Sequence, residues 1–116
     1  MSPVSAKGAK AKGTAAETGL RQHLRANGIR AERIPAGAEH DRGDLLAHPD
    51  WTIEVKAYAN PARAISEGLA DLRVEQANAG TRYGAVVVRR PGKPDPADWA
   101  VVVPMSTFVT LLGGGA

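Results

Sequence analysis

The sequence predicts an α/β domain, a central mixed β-sheet flanked by helices in the order αβββαββα. Three observations carry that prediction. In the stretch Trp51-Thr-Ile-Glu-Val-Lys-Ala57, Ile53 and Val55 alternate with Glu54 and Lys56, the period-2 pattern of a half-buried strand. Ala85-Val-Val-Val88 is a continuous apolar run, the mark of a strand covered on both faces. Between them lies a helical stretch, so the chain leaves one strand, crosses over a sheet face and returns in the next. Helices must then cover both faces.

At 116 residues the chain has room for one core and not two. No apolar run approaches the length of a membrane span, and the lysines near the N-terminus are not followed by the apolar stretch of a secretory signal. The absence of cysteine excludes disulfides and thiolate zinc sites and fits a reducing, cytoplasmic setting. His23, His40 and His48 lack the spacing of a zinc cluster.

The net charge of +3 belongs to one end. Three of the 15 basic residues, Lys7, Lys10 and Lys12, precede Thr14 in a stretch without acids, and the remaining basic residues balance the 12 acidic ones. Residues 1–13, rich in Ala, Gly, Ser and Lys, bury too little apolar surface to order themselves and are expected to be a disordered basic tail. That tail is either an arm that neutralises phosphates or a solubilising leader. The folded domain is expected over residues 14–112, with 113–116 a flexible end.

The first helix is expected from about Ala15 to Asn27. Thr14 suits the N-cap, Glu17 completes a Thr-x-x-Glu capping box, and Asn27-Gly28 supplies the stop. Leu20 and Leu24 mark its buried face. Glu17 borders that face, so it is either the capping acid or a carboxylate directed at a site. A strand from about Ile29 to Pro35 follows, then a loop, Ala36 to Gly43, that carries His40 and Arg42. Asp44-Leu-Leu-Ala47 is a short strand, His48-Pro49-Asp50 a turn, and the Glu54 strand pairs back as a hairpin. That hairpin brings Asp44 towards Glu54. On the strand itself Glu54 and Lys56 share one face, about 7 Å apart by strand rise. Two carboxylates and an ammonium on a rigid face suit hard-cation chemistry on a phosphate.

The second helix is expected from about Pro61 to Ala79, with Pro61 in its first turn and Gly80 ending it. Ile65, Leu69 and Leu72 are expected to form its buried face. Gln76 falls on the same stripe, either hydrogen-bonded within the core or pointed at the site. After the Val86 strand, Arg89, Arg90 and Lys93 sit in a Pro- and Gly-rich turn, solvated or touching nucleic acid. Trp99 to Val103 is the last strand, and Met105 to Leu112 a terminal helix expected to lie on the core.

Lys12-Gly13-x-x-x-Glu17, Gly28, Arg33, Gly37, Asp44 and Glu54-Val55-Lys56, in this order and spacing, resemble the PD-(D/E)XK nuclease superfamily. Within it they are most similar to the archaeal-type Holliday junction resolvases, including the small versions of phages and prophages. The likeness spans Lys12 to about Val88. It implies a magnesium-dependent homodimeric endonuclease that cuts branched DNA, Mn²⁺ being able to replace Mg²⁺. By motif position Asp44 and Glu54, with the backbone carbonyl of Val55, would be metal ligands. Lys56 would be the cation that polarises water or phosphate, and Glu17 an additional acid. DNA contact would fall to Lys7, Lys10, Lys12, Arg33, Arg42, Arg89, Arg90 and Lys93, while Gln76 and His40 would support the site.

Two residues depart from the family pattern. Gly43 stands where a proline usually precedes the aspartate, and Ala36 where the resolvases carry a loop serine. Two alternatives share these motifs: a nuclease of another specificity, replication-repair or restriction-like, and a non-catalytic DNA-binding module on the same fold. Against the second stands the intact Asp44, Glu54 and Lys56 set, which binding alone does not require.

Overall fold

Five strands, β1 (Ala31–Arg33), β2 (Leu45–Ala47), β3 (Trp51–Lys56), β4 (Tyr83–Val88) and β5 (Ala100–Val102), lie side by side in chain order as one sheet. The computed structural model describes residues 6–35, 43–57 and 60–114. Strands β1 to β3 form an antiparallel meander, β3 and β4 run parallel, and β5 returns antiparallel. The parallel pair requires a crossover, and helix α2 (Pro61–Ala79) supplies it. With α1 (Ala6–Ala26) and α3 (Met105–Leu112), the result is the expected α/β domain with a mixed sheet. Among the described residues no helix is long and apolar enough to cross a membrane.

The two faces carry different cores. Ala16 and Leu20 of α1 pack on Leu45, Ala47, Ile53, Val55 and Val87. Ala64 and Leu72 of α2 pack on Val86 and Val88 of the opposite face. Strand β3 is therefore buried on both sides, and its polar side chains Thr52, Glu54 and Lys56 lie beneath α2 rather than in solvent. Gly68 lets α2 press this close, since a Cβ there would stand 2.5 Å from Val86 Cγ1. Asn60 caps the helix by accepting from the Arg63 amide at 3.2 Å, and Gly80 closes it with a left-handed φ of 71°.

Three expectations change. Helix α1 begins at Ala6, not Ala15, and runs unbroken through the basic segment assigned to a disordered tail. Alanine and lysine are strong helix formers, so Thr14 becomes an interior position and the Thr14–Glu17 capping box does not form. The buried stripe of α2 is Ala64, Gly68, Leu72 and Glu75, while Ile65 turns outward, because small residues decide where a helix can approach a sheet. Helix α3 does not lie on the core, for none of its residues is buried. It follows the edge strand β5, beyond which the sheet of the described residues has no further strand to cover.

Candidate active site

The hairpin does the work expected of it. Leu45 pairs with Ile53, and extending that antiparallel register by one residue sets Asp44 opposite Glu54. The Asp44 amide donates to the Ile53 carbonyl at 3.1 Å. Its carboxylate Oδ2 accepts the Val55 amide at 2.8 Å, which fixes the side chain over the end of β3. Val55 thus touches the site through its backbone N–H, not through the carbonyl that the resemblance implied, and its side chain lies in the α1 core.

Glu17 reaches the same place from α1. The sheet register puts Arg33 on the face of Leu45, which α1 covers, and its Nη2 donates to Glu17 Oε2 at 3.2 Å. The Asp44 carboxyl stands beside Glu17. Burial, then the Asp44 hydrogen bond and charge, push Glu17 up to about 7 against the opposing pull of Arg33.

Two acids that the sequence reading missed come from α2. Lys56 Nζ lies 2.8 Å from Asp71 Oδ2 and 3.4 Å from Glu54 Oε1. Glu75, only 2% exposed, lies against Glu54. One carboxylate oxygen from each of Glu54, Asp71 and Glu75 falls within 4.8 Å of the others. The signal was present as spacing: Ala64, Gly68, Asp71, Leu72 and Glu75 occupy one helical stripe. Reading Ile65 as buried rotated that stripe and selected Gln76, one residue too late. Gln76 instead donates to the carbonyls of Thr81 and Arg82, at 3.2 and 2.9 Å, and ties the end of α2 to the entry of β4.

Gly43 explains its own departure from the family pattern. Its φ of +94° is closed to proline, whose ring holds φ near −65°. A Cβ there would meet Glu75 Oε2 at 2.9 Å and Thr52 Cγ2 at 2.8 Å. The space that a side chain would fill at residue 43 is taken by the Glu75 carboxyl.

The row Glu17, Asp44, Glu54, Glu75 therefore crosses the sheet end as a line of acids, with Lys56 and Arg33 as the cations beside it. Glu54, 7% exposed, is pushed up to about 11, first by burial and then by the Glu75 hydrogen bond and the Asp44 and Glu75 charges. Unfolded carboxyls titrate near 4.5. Both raised acids hold a proton in the fold that the unfolded chain has released. Their contribution to stability is complete below about pH 4.5 and declines as pH rises, through about 7 for Glu17 and about 11 for Glu54. The melting temperature of metal-free protein should thus fall from about pH 5 to about pH 8. Thermal melts in a chelating buffer measure it, and a flat or rising trend would contradict the assignment.

A milder variant isolates Glu17. Glu17→Gln keeps the side chain's size and removes a partly exposed ion pair, which is worth little. The melting temperature should hardly move at about pH 5, and its decline towards about pH 8 should become shallower. Any DNA cleavage should slow at least about tenfold, within the roughly hundredfold or more that a positioned acid–base group contributes.

The other expected residues are placed less centrally. His40 and Arg42 lie outside the described residues, as do the side chains of Lys7, Lys10 and Lys12, whose backbone belongs to α1. The Arg89 amide donates to the Lys56 carbonyl at 2.9 Å, so Arg89 stands next to the site. Arg90 Nη1 donates to the Asp98 carbonyl, and the Lys93 carbonyl accepts the Trp99 indole N–H. Both are built into the β4–β5 turn.

No protein-family model matches the chain, and no curated protein matches its sequence. Among solved structures it is similar to that of Archaeoglobus fulgidus Hjc, a Holliday junction resolvase from an archaeal hyperthermophile. The identity is 22%, over 79% of this chain and 72% of the other, with a TM-score of 0.55. At that identity the likeness establishes the fold, and with it the single α/β domain around a five-stranded mixed sheet.

Proposed function

We propose that the protein is a metal-dependent endonuclease acting on branched DNA, and most concretely on four-way junctions. The observation that carries the reading is the convergence of Asp44, Glu54 and Lys56 at one end of β3, on a fold shared with a junction resolvase.

The donor set suits a hard divalent cation. Asp44, Glu54 and Glu75 offer carboxylate oxygens from separate elements, as Mg²⁺ prefers. Burying this many acids together is costly, which is why Glu54 keeps a proton without an ion to balance it. When bound, Mg²⁺ supplies charge to the phosphoryl oxygens and lowers the pKa of water. Asp44 and Glu54 would hold it, with Glu75 as a further oxygen donor, and Mn²⁺ fits the same ligands.

The residues of the chain do the rest. Lys56, held between Glu54 and Asp71, presents an ammonium where negative charge grows on the attacked phosphate. Glu17, with an affinity that places its proton near neutrality, adjusts the charge beside Asp44. Arg33 restrains Glu17 and offers its remaining N–H groups to the DNA backbone.

Resolving a junction needs two cuts on symmetric strands, and one such domain carries one site. Support for a homodimer comes from β5 and α3. Val101, Met105, Val109 and Leu112 are 64, 72, 60 and 71% exposed, and Phe108 is 46% exposed. No charged residue occurs from Trp99 to Ala116, so this face can meet its own copy about a two-fold axis without opposing like charges. Light scattering should give the mass of a dimer for the native chain and of a monomer for Phe108→Asp. Beside it, a cruciform plasmid should be linearised by paired nicks with the native protein and only singly nicked by the variant. A monomeric native protein that makes single nicks would defeat the junction assignment and leave a nuclease of another specificity.

A further inference from the structure

A groove of about 470 Å³ runs between α1 and the turn that joins β4 to β5. Ala15, Gly19 and His23 form one wall, and Arg89, Pro94 and Trp99 the other. Among the described residues no acidic side chain lines it, although acids crowd the candidate active site. The turn that makes its second wall is tied to itself. Trp99 Nε1 donates to the Lys93 carbonyl at 2.7 Å, and Arg90 to the Asp98 carbonyl at 3.1 Å. The groove lies on the α1 face at the end of β4, and Arg89, which lines it, donates its backbone amide to the Lys56 carbonyl at the adjacent end of β3.

We propose that this groove binds an unpaired segment of DNA strand, seating one nucleotide unit beside the cutting centre. Its volume lies within the range of about 300–1,000 Å³ typical of small-ligand sites, which suits a nucleotide. An apolar wall with an aromatic ring, joined to basic groups and free of acids, is the combination that holds single strands. Arg89 and His23 face the phosphate, while Ala15, Gly19, Pro94 and Trp99 cover the sugar and base. The inference rests on the nuclease reading for its placement next to Lys56, yet it can be tested without any cleavage.

Gly19 provides the test. A Cβ at that position would stand 3.9 Å from Trp99 Cη2, in ordinary contact, so a larger side chain there projects into the groove against its Trp99 wall. Gly19→Leu also places a better helix former in α1. The protein has two tryptophans, and Trp51→Phe leaves Trp99 as the single reporter. Titrating this variant with a short single-stranded oligonucleotide should change Trp99 fluorescence saturably. Adding Gly19→Leu should weaken that binding at least tenfold. On junction DNA, Gly19→Leu should raise KM several-fold with kcat unchanged. Absence of a fluorescence response, or equal affinity with Leu at residue 19, would overturn the proposal. A response lost in Gly19→Leu, in a protein that cleaves no DNA, would uphold the groove and refute the nuclease.

Discussion

Glu54→Gln should abolish cleavage and, in the same preparation, raise the melting temperature of the metal-free protein above that of the native chain. The two effects have one cause. Glu54 is buried against Glu75 and Asp44, and without a cation it is neutral at physiological pH. Glutamine reproduces that neutral form, so the fold no longer has to keep a proton on a carboxyl, and the decline of stability with rising pH should flatten. The same change removes a charged oxygen donor from the site proposed to hold Mg²⁺. The rate should fall at least about a thousandfold, the upper range for loss of one charge-stabilising group. Asp44→Asn should be similarly inactive, while junction binding persists because an acid near phosphate has been removed. Paired melting curves and single-turnover rates measure both halves. Full activity in Glu54→Gln would remove the metal assignment, and a lowered melting temperature would mean that the buried acid is charged.

The second large effect belongs to Lys56. Lys56→Gln should reduce kcat by about a hundredfold or more and leave KM nearly unchanged, since a cation aimed at developing charge acts in the transition state. Its effect on stability should be small. Asp71, the 2.8 Å partner, is half exposed and regains water when the ammonium is lost. Glu54, the other partner, is already protonated in the metal-free protein. A Lys56→Gln enzyme with native kcat would assign the lysine to the Asp71 ion pair alone.

The parts of the fold legible in the sequence were those governed by local pattern. The Val86 strand was visible as an apolar run, and the Asp44–Glu54 hairpin as two short strands around His48-Pro49-Asp50. Asp44, Glu54 and Lys56 come together because a two-residue alternation and an antiparallel register place them with little freedom, and Glu17 reaches Asp44 from α1. What depended on how helices meet the sheet was less legible. The contact face of α2 is chosen by Ala64 and Gly68, whose small size admits Val86, and not by Ile65. That rotation decides whether Glu75 or Gln76 looks into the site. The start of α1 was obscured because the same Ala- and Lys-rich composition favours both a tail and a helix. Helix α3 has the apolar pattern of a core helix, and a sequence pattern cannot say whether the surface it covers belongs to its own chain or to another.

The central claim, metal-dependent cutting by the Asp44, Glu54 and Lys56 site, is most directly tested on a synthetic four-way junction labelled on one strand. The native protein should cut it in Mg²⁺ or Mn²⁺, cut a linear duplex of the same sequence far more slowly, and stop when the metal is chelated. An intact junction after incubation with stoichiometric protein and either metal, or cutting that persists undiminished in chelator, would contradict the account.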